Sequence, residues 1–113
     1  MSENLPELNE WFRVQFDDAA IQLRVNPPNR PAWEARINWA RIIRVCLNAG
    51  DSLNPDEIFI FTDERPESYL IPIHADGADK LWDEIITREL FDAELAILAM
   101  SAANKLFCWP SSE

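Results

Sequence analysis

The apolar residues of this chain change period near His74. Upstream they mostly alternate, as in Phe12-Arg13-Val14-Gln15-Phe16 and Ile21-Gln22-Leu23-Arg24-Val25. Downstream they recur at helical spacing, as Ala78, Leu81, Trp82, Ile85 and Ile86. Alternation lines one face of a half-buried strand, whereas spacings of three and four line one side of a helix. The expected class is therefore α+β: an antiparallel β-meander of about six strands, then two helices and a short C-terminal strand. A chain of 113 residues suffices for one domain around one core, residues 1–113. Residues 1–10 are polar and acidic and read as a loose lead-in or one short helical turn.

Trp11 to Phe16 and Ile21 to Val25 form the first hairpin, turning at Asp17-Asp18-Ala19. The run Asn26-Pro27-Pro28-Asn29-Arg30-Pro31 is a loop, because proline lacks the backbone donor a ladder needs. Ala32 to Ile37 is the third strand, with Trp33, Ala35 and Ile37 on one face. Arg41 to Leu47 is the fourth, with Ile43, Val45 and Leu47 on one face; its β-branched residues favour strand over helix. Ile58 to Thr62 is apolar on both faces and reads as a central strand. Asp63 to Glu67 is a charged turn around Pro66. Tyr69 to Ile73 follows as an edge or bulged strand because of Pro72.

Asp76 is placed as the N-cap of the first helix, with Gly77 easing the turn into it. Asp92 is placed as the N-cap of a second, alanine-rich helix reaching about Ala102. Lys105 to Trp109 is the last strand, stopped by Pro110.

The net charge of −10 is unevenly distributed. Residues 1–50 carry six acids and six arginines, whereas residues 51–94 carry thirteen acids against Arg65, Lys80 and Arg88. Such a surface repels phosphate backbones and anionic lipid, so neither nucleic acid nor a membrane is an expected partner. It favours solubility or a basic partner. The N-terminus has neither the basic region nor the apolar core of a secretion signal, and no apolar run approaches the roughly 18 residues of a membrane span. Cys46 and Cys108 lie in separate apolar runs without a CxxC. The expectation is two reduced, buried thiols in a cytoplasmic protein; a disulfide requires the two to be neighbours in space.

Four segments together form a wider pattern: Phe16-Asp17-Asp18; Ile37 to Val45; Tyr69-Leu70-Ile71-Pro72 leading to Gly77; and Phe91-Asp92 with Ala99-Met100 and Phe107-Cys108-Trp109. This pattern resembles a group of small bacterial proteins of unknown function with a pleckstrin-homology-like arrangement of β-sheet and helix. The resemblance implies a PH-like barrel and brings no catalytic residues with it.

Chemical motifs are sparse. His74 and Asp76 could share a metal or act as base and orienting group, but a metal site needs three or four ligands and His74 is the only histidine. The pair is the weak polar-site candidate. Asp51, Asn54 and Asp56 do not match the spacing of a calcium loop. No GxSxG surrounds a serine, and two glycines cannot build a phosphate-binding loop. No catalytic, cofactor or metal residues are assigned. Trp33 and Trp39 interleave with Arg36, Arg41 and Arg44. Together with Trp11, the residues Trp33, Arg36, Trp39 and Arg41 form the candidate interaction surface.

The leading expectation is a non-enzymatic protein-interaction module acting on a protein partner or by self-association. One alternative is an immunity- or antitoxin-like acidic neutraliser of a basic partner. Another is a small enzyme or metal-binding protein around His74 and Asp76.

Overall fold

A computed structural model describes residues 7–110. The elements run α1 (Leu8–Trp11), β1 (Phe12–Phe16), β2 (Ala20–Val25), β3 (Trp33–Asn38), a 3-10 turn (Trp39–Arg41), β4 (Ile42–Ala49), β5 (Glu57–Thr62), β6 (Arg65–Pro72), α2 (Ala78–Thr87), α3 (Ala93–Met100) and β7 (Lys105–Trp109). The class is α+β. The strands do not make one meander or a closed barrel, however. They form a three-stranded sheet, β1-β2-β3, and a four-stranded sheet, β6-β5-β4-β7, both antiparallel. The break falls at the 3-10 turn, where Trp39 leaves the β3 line and anchors elsewhere. The last strand does not extend the row; it returns to pair with β4.

The inward faces of both sheets meet in one core. Val14, Ile21, Leu23 and Ile37 come from the first sheet, and Val45, Leu47, Ile58, Ile60 and Ile71 from the second. Ala78, Leu81 and Ile85 of α2 and Ala99 of α3 join them. The alternation read from the sequence accounts for this directly. Full burial of a Leu or Ile side chain contributes about 1.5–3 kcal/mol.

Several local expectations change. Of the lead-in 1–10, residues 1–6 lie outside the described residues; α1 is the short helical turn, and Trp11 ends it rather than opening a strand. Ile43 is exposed instead of sharing the buried face of Val45 and Leu47. The β4–β5 register passes from Ile42↔Thr62 to Arg44↔Phe61, so Ile43 is the extra residue of a bulge. The turn after β5 is tighter than expected, and Pro66 lies inside the irregular edge strand β6.

Asp76 does not cap α2. Its backbone instead bridges β1: Val14 N donates to Asp76 O at 2.7 Å, and Asp76 N donates to Phe12 O at 2.9 Å. Gly77 is the N-cap, at φ 89°. A Cβ there would collide with the carbonyl of Val14, so the glycine is demanded by both conformation and space. Asp92 does cap α3, its carboxylate accepting from Leu95 N at 3.0 Å.

Cys46 and Cys108 are directly opposed in β4 and β7 and are joined by a disulfide. The expected pair of free thiols is thereby corrected. The cause is the return of β7 to β4, which brings residues 62 positions apart onto one rung.

Candidate functional site

The two sheets share a core but their edges β3 and β6 do not pair. Between them lies an open groove of about 610 Å3. Phe12, Trp33 and Ala35 form one wall; Arg65, Tyr69, Leu70 and Pro72 form the other, with Glu34 and Arg36 at the rim. Trp33 lies on the same strand face as Ala35 and the fully buried Ile37, as alternation requires. It sits at the open end of that face and is 44% exposed. Its ring meets Phe12 edge-on, with centroids 6.1 Å apart. Further hollows beside Trp33 are lined by Trp11, Pro27 and Pro31 on one side and by Arg13, Arg24 and Asn26 on another.

Arg65 is held in place from three directions. Its Nε donates to Glu67 O at 3.0 Å and its Nη2 to Ser68 O at 2.9 Å, and the guanidinium lies 3.7 Å over the Tyr69 ring. Backbone carbonyls thus fix it, and among the described residues its charge makes no ion pair, although Glu34 lines the same groove. Stacking of this kind immobilises the aromatic as well.

The residues expected to form one interaction surface separate into two groups. Trp11, Trp33 and Arg36 adjoin the groove, Trp11 half-buried beside Phe12 at 6.2 Å between centroids. Trp39 and Arg41 do not. Trp39 is buried: its Nε1 donates to Asp17 O at 2.7 Å, Phe16 meets it edge-on at 6.0 Å, and the Arg88 guanidinium lies 4.1 Å over its ring. It joins the first hairpin to α2 and is unavailable to a partner. The reason lies in its contacts: Trp39 continues the buried parity of Ile37 and is closed over by the first hairpin and Arg88. Arg41 is exposed but pairs with Asp63 at 3.3 Å and Glu64 at 3.9 Å.

His74 and Asp76 are both exposed. The structure brings Asp76 to a second open hollow of about 530 Å3, with Gln15, Asp17, Gln22 and Lys80 rather than with His74. Among the described residues no three His, Cys, Asp or Glu side chains come together as a ligand set.

The clustered acids have structural work in turns. Asp17 accepts from Ala19 N at 2.8 Å and Ala20 N at 2.9 Å. Those bonds, with Arg36 as a weaker influence, hold its carboxyl below the ordinary carboxylate range. Asp51 accepts from Leu53 N and Asn54 N and is lowered for the same reason. Asp56 accepts from Gly50 N at 2.8 Å.

The far wall of the groove was not legible in the sequence. Arg65, Tyr69 and Leu70 belong to the other sheet, and only the spatial approach of β6 to β3 joins them to Trp33. The one available signal was Pro72, which marks β6 as an edge.

No family model, no curated protein and no solved structure matches this chain.

Proposed function

We propose that this protein is a non-enzymatic protein-interaction module and that the groove around Trp33 receives its partner. The observation that carries the proposal is the half-exposed Trp33 opposite Tyr69, with Arg36 and Arg65 alongside. Tryptophan, tyrosine and arginine dominate the energetics of protein interfaces, because each combines a large apolar area with a polar handle. An apolar side chain of the partner fits between the rings, and an acidic one beside it meets the arginines. The test is crosslinking in the host followed by mass spectrometry, comparing wild type with Trp33→Ala and Arg36→Glu. A defined partner held by wild type and lost from both variants supports the proposal. A partner retained by both, or crosslinks that avoid the groove, defeats it.

A second reading rests on the acids of residues 51–94. Asp79 and Asp83 are exposed on α2, and Asp63, Glu64 and Glu67 are exposed at the β5–β6 turn. An acidic neutraliser would cover a basic partner with these residues, and its binding would weaken steeply with salt. The two readings differ in their critical residues: Asp79→Lys with Asp83→Lys abolishes the second and spares the first.

Kinship with pleckstrin-homology-like proteins belongs to this proposal; two antiparallel sheets that share a core with the helices after the sixth strand support it. So does a cytoplasmic address. No helix among the described residues is long and apolar enough to cross a membrane. In the cytoplasm Cys46 and Cys108 would be held as thiols, and in an oxidising compartment as the disulfide. Alkylation of the pair in intact host cells, read by mass, separates the two.

A further inference from the structure

The four sheet edges are not equally protected. The outer edge of β1 is occupied by the Asp76 backbone. β3 follows Pro31 and carries Glu34 and Arg36, and β6 carries Arg65, Pro66 and Pro72. Prolines and charges of this kind keep an edge from pairing with other chains. β7 is the least guarded: Lys105-Leu106-Phe107-Cys108-Trp109 has no proline inside it and one charge, at its first residue, and Pro110 follows its last. No hydrogen bond among the described residues reaches its outer side.

The register identifies the free groups. Cys46 and Cys108 have Cα atoms only 4.0 Å apart, the spacing of a rung whose residues do not exchange backbone hydrogen bonds. Phe107 and Trp109 therefore bond back to β4, and the N–H and C=O groups of Leu106 and Cys108 point away from the sheet. Leu106 is 57% exposed and Trp109 40%. The neighbouring helix α3 exposes Ile97, Leu98 and Met100.

Charge selects the occupant. Two copies of a chain with net charge −10 repel where the acids of residues 51–94 oppose one another. From Leu95 to Pro110 the only charged residue is Lys105. At the β7 edge two copies can meet without opposing acids.

We propose that β7 pairs antiparallel with β7 of a second copy across a two-fold axis at Phe107, joining two four-stranded sheets into one of eight strands. In this register Leu106 faces Cys108 of the second copy, and the two exchange their outward N–H and C=O groups. Lys105 faces the second copy's Trp109 on the same face, where an ammonium over an indole is favourable. The contact is self-complementary, as a two-fold interface must be. It uses the edge of the sheet opposite β6, so both Trp33 grooves stay open and the inference goes beyond the partner reading above.

Sedimentation equilibrium of the full chain across the micromolar to millimolar range tests it. The expected mass is twice 13.1 kDa at the upper end. Leu106→Pro removes one outward donor without touching the β4 ladder, and Leu106→Lys sets a charge in each half of the contact. Each weakens the dimer by about tenfold or more, with unchanged circular dichroism. Leu70→Lys, on the far edge, leaves the dimer intact. Amide exchange of Leu106 and Cys108 slows at high concentration. A wild type that stays monomeric throughout, a dimer that survives both Leu106 variants, or a species larger than two chains overturns the proposal. None of these results depends on a partner at Trp33.

Discussion

The two sheets share a core, yet their outer faces differ by one apolar row. Outside the first sheet stand Arg13, Gln15, Gln22, Arg24, Glu34 and Arg36. Outside the second, one apolar row crosses all four strands as Leu70, Phe59, Cys46 and Cys108; Phe61 shares its rung with Arg44, and Leu106 shares its rung with Asn48 and Glu57. The first sheet shows the strict alternation of a strand with one wet side. In the second, Ile58 and Ile60 fill the core while Phe59 and Phe61 sit half-buried on the other face. Apolar residues on both faces of a strand thus do not require a helix on both sides. The outer row here is sheltered by its own neighbours and by the disulfide across β4 and β7.

The largest effects should follow from truncating the shared core. Leu23→Ala and Ile60→Ala, both fully buried, should each cost about 2–5 kcal/mol by urea denaturation. The neighbours on the outer faces should diverge. Arg24→Ala should stay within about 0.5 kcal/mol, as an exposed substitution does, whereas Phe59→Ala should cost about 1–3 kcal/mol because its ring is half-buried. Equal losses at Arg24 and Phe59 would erase the distinction between the faces.

Next in size is the staple that only the second sheet possesses. Cys108→Ser should lower stability by about 2–4 kcal/mol under oxidising conditions, since the bond closes a long loop. The same substitution measured in reductant should cost far less. A variant as stable as wild type under both conditions would show that the outer row shelters itself without the bond.

Much of the comparison could be read from the chain. The alternation in β1 and β2, the apolar run of β5, the α2 stripe and the Asp92 cap all appear where the residues place them, because each depends on neighbours a few positions away. The failures share one cause. Ile43, Trp39, Asp76 and the cysteines owe their settings to contacts across tens of residues: a bulge against β5, an indole bonded to Asp17, a bridge to β1 and a rung between β4 and β7. Trp39 and Trp33 make the point for the candidate site. Both are tryptophans near arginines in sequence; Asp17, Phe16 and Arg88 close over one, while a sheet edge exposes the other.

A smaller effect tests the turns that hold the two sheets. Asp17 closes the first hairpin and Asp51 the loop after β4, and the carboxyl of each is held below its ordinary value by backbone N–H donors. A lowered folded-state value means the unfolded state binds protons first as the pH falls. The contribution is therefore present above about pH 4 and lost as the pH drops through the lowered folded-state values. Asp17→Asn and Asp51→Asn should each flatten the fall of the melting temperature between about pH 4 and 2, relative to wild type. Equal slopes in all three proteins would remove these carboxylates from the acid response.

The smallest effect bears on the wet face itself. Arg13 and Arg24 are directly opposed in the β1–β2 register, and like charges so placed repel. Arg24 already leans toward Glu34 on the other side, at 3.9 Å between exposed side chains, a distance that relieves little. Arg13→Glu turns the repulsive pair into an attractive one and should raise stability by about 0.2–1 kcal/mol at low salt, with the gain fading as salt is added. The net charge becomes more negative, which by itself disfavours the compact state. A measured gain therefore isolates the local pair from the global field. If Arg13→Glu is instead neutral at every salt concentration, the arginines on this face are too well solvated to sense one another, and the polar and apolar outer faces differ in hydration alone.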